Sequence, residues 1–261
     1  MQITKAHAET SVSALRQLVR DHPLGVLTTA IPSSQHAFIQ SSHIPWILDV
    51  EDDSSETELG VLRGHLARGN PQSKAMIESL SAPDRKETEV NKLEQEVLVL
   101  FTSQVHSYLT PKFYTETKPS TGKVVPTWDY TAVQAYGKAT IYHDKSEEAS
   151  SFLSKQIDDI SLFMERNVAG HTSEGDRPKP WRVSDAPDSY VEILKKAIIG
   201  IEIKIERLEG VVKMSQDKGE GDRLGVIQGF KDMGTQLGHD MAEQVTKRHE
   251  IKKASKANAA A

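Results

Sequence analysis

The densest run of groups able to hold an anion is Arg63-Gly64-His65-Leu66-Ala67-Arg68-Gly69-Asn70-Pro71-Gln72-Ser73-Lys74. It reads as a strand that leaves through a glycine turn into a helix starting near Pro71. Free backbone N–H groups at a helix N-terminus, with arginine and lysine beside them, make a cradle for phosphate. His65, Arg68, Asn70, Gln72, Ser73 and Lys74 are therefore candidate cofactor-binding residues. A polar turn with solvated charges accounts for the same residues, because no P-loop or dinucleotide fingerprint accompanies them.

Two further runs could complete a ligand site. Tyr108-Leu109-Thr110-Pro111-Lys112-Phe113-Tyr114 and Lys123-Val124-Val125-Pro126-Thr127-Trp128-Asp129-Tyr130 bring aromatics and prolines close together in sequence. Trp128 and Tyr130 could stack against a planar ring, although aromatics near strand ends also serve as core or interface filler. Lys213 and Gln216 follow an apolar strand and could reach the edge of a cofactor; an edge-strand lysine with a polar turn is the plainer account. His43 and His65 would suit a haem iron or acid–base work near neutral pH. No His-x-x-x-His or His-Glu-x-x-His spacing supports a metal site, and no nucleophile elbow supports a catalytic serine.

The elements that would position these groups are mostly extended. Val12, Leu15, Leu18 and Val19 mark an amphipathic helix over 10–22, ended by His22-Pro23. Strands are expected over 25–29, 38–48, 59–66, 97–101, 105–109 and 127–143, and residues 81–95 read as a charged, solvated insert. A helix opens at Ser146-Glu147-Glu148, with acids where the helix dipole favours them. Ile199, Ile201, Ile203 and Ile205 alternate with glycine and charged residues, the pattern of a half-buried strand. Residues 222–250 read as helical and polar, and the alanine- and lysine-rich tail 252–261 as disordered. Helix, many strands, helix, strand, helix suits a β-barrel with peripheral helices better than alternating βαβ units. The expected division is a main domain over 1–230 and a C-terminal extension over 231–261.

Composition narrows the class. The 261 residues are 37% hydrophobic and 26% charged, with mean hydropathy −0.47, a balance that supports a core and a solvated surface. The longest apolar stretches fall well short of the roughly 20 residues of a bilayer helix. The start Met1-Gln2-Ile3-Thr4-Lys5 has no apolar signal core, so a cytoplasmic protein is expected. The absence of cysteine removes disulfides, thiolate metal sites and cysteine nucleophiles. A formal net charge of −5 lowers the expectation of a dedicated DNA binder, since phosphate neutralisation supplies most such affinity.

At these same residues the chain resembles the PaiB family of FMN-binding split-barrel proteins. The resemblance runs from about residue 7 to 230. It rests on His22-Pro23-Leu24-Gly25, His43-Ile44-Pro45-Trp46, Gly64-His65-Leu66-Ala67-Arg68, Asn70-Pro71-Gln72, Val124-Val125-Pro126-Thr127-Trp128, Pro180-Trp181, Arg207-Leu208-Glu209-Gly210, Lys213-Met214-Ser215-Gln216 and Asp222-Arg223. It implies a mainly β (α+β) split barrel, a homodimer, and FMN or a related phosphorylated cofactor between subunits, with Arg68, Asn70, Ser73 and Lys74 near the phosphate. It departs from the family pattern at Ser73, where an aromatic is usual, and at Asp129 and Asp217, where asparagine is usual. Three readings follow: a flavin-binding protein with weak oxidoreductase activity, a negative transcriptional regulator acting through DNA or protein contacts, or a haem-binding barrel using His43 or His65.

Overall fold

The computed structural model describes residues 1–81 and 91–260, the side chains of 252 and 255–260 excepted. The chain divides into two compact units. A sheet unit comprises Ser11–Phe101 and Gln134–Leu208; a terminal unit comprises Met1–Thr10, Thr102–Val133 and Glu209–Ala261.

The sheet unit opens with α1 (Val12–Asp21), whose N-cap Ser11 accepts a hydrogen bond from the Ala14 amide and which buries Leu15 and Val19. Strands β2 (Leu24–Ala30), β3 (Ile39–Pro45), β4 (Ile47–Asp49) and β5 (Val61–Ala67) follow, then helix α2 (Pro71–Leu80). Strands β6 (Lys92–Thr102), β8 (Thr127–Tyr142) and β9 (Ile198–Lys213) complete the order β3-β2-β6-β8-β9-β5-β4. Pro45 ends β3, as its missing donor requires. Helices α4 (Glu147–Asn167) and α5 (Asp188–Lys196) lie between β8 and β9 in sequence. The expected insert at 81–95 falls mostly outside the described residues, but its last part is strand. From Lys92 onward Leu93, Val97, Val99 and Phe101 are buried while Glu94 and Glu96 are exposed, so charge there marks only the solvent face of β6.

Leu27, Ile44, Trp46, Leu62, Val99, Phe101 and Ile201 are all buried. A Cβ at Gly64 would stand 2.9 Å from the Trp46 ring, so glycine at that point of β5 is what lets the indole lie against the strand. The opposite face of β5 carries Arg63, whose guanidinium binds Asp49 through Nε and Nη2, Gln156 Oε1 at 3.1 Å and Asp159 Oδ2 at 2.8 Å. Gln156 and Asp159 belong to α4, so this arginine pins α4 onto the sheet.

The terminal unit contains β1 (Ala8–Glu9), paired antiparallel with the end of β9, and β7 (Ser107–Leu109), paired antiparallel with the start of β8. Helices α3 (Thr117–Thr121), α6 (Glu220–Lys231) and α7 (Gln236–Ala260) complete it. Leu109, Tyr114, Met214, Val226, Phe230, Met241 and Val245 form its core, with Phe113 edge-on to Phe230. The buried Asp222 fixes the turn into α3 by accepting from the Glu116 and Thr117 amides and the Thr117 hydroxyl. Helix α7 runs through Ala260, and its alanines and lysines are strong helix formers. Among the described residues no helix is long and apolar enough to cross a membrane.

Candidate functional site

The six candidates between His65 and Lys74 all lie in the sheet unit, at the end of β5 and the start of α2, but they face different ways. Asn70 is the N-cap of α2: its Oδ1 accepts from the Gln72 amide at 2.8 Å, and its Nδ2 donates to Ser42 Oγ on β3 at 3.2 Å. Gln72 is buried, and its Nε2 reaches Leu27 O, Thr29 Oγ1 and Gln40 O at 3.1–3.2 Å. Ser73 is fully buried and donates to Ala67 O at 2.8 Å. Both side chains therefore anchor the helix to the sheet. At 73 a small, buried hydroxyl closes the β5–α2 turn.

Arg68 is anchored rather than free. Its Nε donates to Lys196 O at 3.2 Å, and its Nη2 to His143 O at 2.8 Å and Ile198 O at 3.2 Å. Nη1 is the part of the guanidinium left unengaged among the described residues. Lys74, in the first turn of α2, is exposed. The anion-binding groups that remain at this helix start are thus Lys74 and Arg68 Nη1, since Pro71 has no N–H and the Gln72 and Lys74 amides already pair with Asn70.

The two histidines do not form a pair. His43 is exposed on β3, opposite Val26. His65 shares the face of β5 that Arg63 turns to α4, by strand alternation. Its Nδ1 is buried without a hydrogen-bond partner among the described residues, and burial holds its pKa below the ordinary histidine value. No group of three or more histidine, aspartate or glutamate side chains among the described residues could hold a metal ion.

The remaining candidates lie in the terminal unit. Trp128 and Tyr130 share one face of β8; Asp129, between them, points the other way and is buried. Trp128 is 48% exposed. Its cross-strand neighbour Tyr108 meets it edge-on at 6.3 Å, and its Nε1 donates to His106 Nδ1 at 3.1 Å. Tyr130 is half-buried. Lys213 Nζ donates to Thr127 Oγ1 at 2.6 Å and to Trp128 O at 2.5 Å, bracing the backbone under the indole. Gln216 instead folds back: its Oε1 accepts from the Met214 amide at 2.7 Å and its Nε2 donates to Val212 O. It shapes the turn after β9, in which Ser215 takes φ +56°.

The structure also accounts for the two extra carboxylates. Asp129 Oδ2 accepts from the Ser215 hydroxyl at 2.7 Å, and Lys213 stands 3.8 Å from Oδ1. Burial raises the Asp129 pKa against the opposing pull of Ser215 and Lys213. Asp217 lies 2.8 Å from Lys218 Nζ and 3.4 Å from His7 Nε2. Burial opposes its ionisation, but the Lys218 hydrogen bond and charge outweigh that and lower its pKa. Each added charge thus has a cation beside it. Sequence reading missed His106, Tyr108 and Ser215 as partners of Trp128 and Asp129, because only strand register and the turn after β9 bring them together.

Residues 1–207 match the family described as "Putative FMN-binding domain". An uncharacterised protein of Aspergillus fumigatus is 52% identical over 260 residues, covering 97% of this chain and 99% of that protein. An uncharacterised protein of Emericella nidulans is 55% identical over 254 residues, with the same coverage of each chain. The protease synthase and sporulation protein PAI 2 of Bacillus subtilis is 25% identical, covering 93% of this chain and 95% of that one. Among solved structures, the FAD and heme binding protein from Mycobacterium smegmatis aligns with a TM-score of 0.43 at 14% identity, over 79% of this chain and 73% of that one. The architecture is mainly β with peripheral helices, and this chain belongs to the family described as "Putative FMN-binding domain".

Proposed function

We propose that this protein binds FMN, or a closely related phosphorylated flavin, at the interface of a homodimer. The observation that carries the reading is the family match across residues 1–207, which includes the whole β5–α2 segment. The start of α2 supports a phosphate site: it is the positive end of a ten-residue helix, Lys74 is exposed in its first turn, and Arg68 is held by three carbonyls so that Nη1 stays available. Gln72 and Ser73 support that helix start from beneath. The dimer is supported by large apolar side chains left at the surface of the sheet unit, among them Leu24, Phe38, Ile39, Tyr190 and Ile193.

Trp128, with Tyr130 beside it and Lys213 bracing its backbone, offers an aromatic surface for a planar ring in the terminal unit. When bound, a flavin supplies the redox chemistry; the residues of the chain bind and orient it. The test is an absorbance titration of the purified protein with FMN, together with its mass in solution. Saturable flavin spectral changes in a species of twice the chain mass support the reading, and their absence removes it.

A further inference from the structure

We infer that His106 is a positioning residue that holds the Trp128 indole as a preset wall for the planar ring of the ligand. This rests on the flavin-binding reading above and names a residue that reading does not contain. An indole N–H can only donate, so the 3.1 Å contact requires His106 Nδ1 to be an acceptor, with the ring proton on Nε2. The two rings stand 5.9 Å apart at 41°, a geometry set by the hydrogen bond rather than by stacking.

Trp128 is constrained from three sides. His106 holds the indole nitrogen, Tyr108 meets the ring edge at 64° across the β7–β8 pair, and Lys213 ties down the Trp128 carbonyl. Yet nearly half of the residue remains exposed, at 48%. A tryptophan that served only as filler would bury its ring. One whose polar N–H is satisfied by a neighbour, while its face stays open, presents a π-surface with little rotamer freedom left to lose on binding. The ligand class that uses such a surface is a planar heteroaromatic ring, and the phosphorylated flavin proposed above contains one.

The experiment compares wild type with W128A, W128F, H106L and H106N. In the ligand-free protein, the Trp128 indole N–H resonance is assigned by its loss in W128F. It should shift in H106L and stay near its wild-type position in H106N, whose amide oxygen can still accept. In FMN titrations, H106L should weaken binding about fivefold, the scale of one ordered aromatic contact, W128A at least as much, and H106N far less. Thermal melts of the variants check that they are folded. If W128A weakens FMN binding while H106L does not, His106 has no positioning role and the flavin reading stands. If W128A binds FMN as wild type does, the aromatic wall itself is refuted, again without touching the flavin reading. If wild type binds no FMN, both fall together.

Discussion

Asp129 and Ser215 meet at 2.7 Å in the terminal unit, the serine hydroxyl donating to Oδ2, while the other carboxylate oxygen is buried with no hydrogen-bond partner among the described residues. This carboxyl sits where asparagine is usual in the proteins the chain resembles. The cost of its ionisation is the physical content of that exchange.

Replacing Asp129 with asparagine should therefore raise stability at neutral pH by about 1 kcal/mol, since a buried charged group with an unmet acceptor is removed. Burial raises the folded-state pKa above the unfolded value near 3.8, so the folded protein holds this proton more tightly. The ionisation penalty is absent below the unfolded pKa, grows as pH rises through the window up to the raised folded value, and is complete above it. Urea melts across that window should show the wild type losing stability relative to D129N as pH rises. A constant difference would contradict the assignment.

Removing the guanidinium of Arg63 should strand Asp49, Asp159 and Gln156. Replacement by methionine is expected to cost about 2 to 3 kcal/mol, the low end for a broken buried ion pair, because both carboxylates keep some access to water. Burial opposes ionisation of Asp159, but hydrogen bonds from Lys155 and Arg63 outweigh it and lower its pKa. Its contribution is present above the ordinary aspartate range and lost as pH falls through the lowered folded value. Urea denaturation of R63M should show a smaller loss in acid than wild type shows.

Adding one methyl at Gly64 places carbon 2.9 Å from the Trp46 ring and 3.1 Å from Ile44, between two fully buried side chains. G64A should lose about 2 kcal/mol through overpacking. A melting temperature equal to wild type would mean that the β5–Trp46 contact is looser than described.

Arg68 joins the end of β8 to the entry of β9 by donating to the carbonyls of His143, Lys196 and Ile198. R68A should be destabilised by about 2 kcal/mol, as several carbonyls lose their donor. K74A, at an exposed position, should stay within about 0.5 kcal/mol of wild type. Equal stability of the two variants would contradict the anchored geometry.

Much of the fold was legible because its signals are local. Ser11 and Ser146 are both helix N-caps, and the isoleucines at 199, 201, 203 and 205 are all buried on one face of β9. The start of β6 was hidden because glutamates 94 and 96 dominate a stretch in which only Leu93 and Val97 face inward. The site was half legible for a related reason. Residue types and spacing located the helix start at Asn70-Pro71, but nothing in sequence tells that Gln72 and Ser73 turn into the sheet while Lys74 turns out. His106 gave no signal at all: it stands 22 residues from its partner, and the β7–β8 register alone joins them.

The most direct test of the account compares FMN with riboflavin, which carries the same ring without the phosphate, by calorimetric titration of wild type and K74A. The account predicts that wild type binds FMN at least about tenfold more tightly than riboflavin, roughly 1.4 kcal/mol, and that K74A loses most of that preference while riboflavin affinity is unchanged. Equal affinity for the two ligands, or an FMN preference that survives in K74A, would contradict a phosphate site at the start of α2.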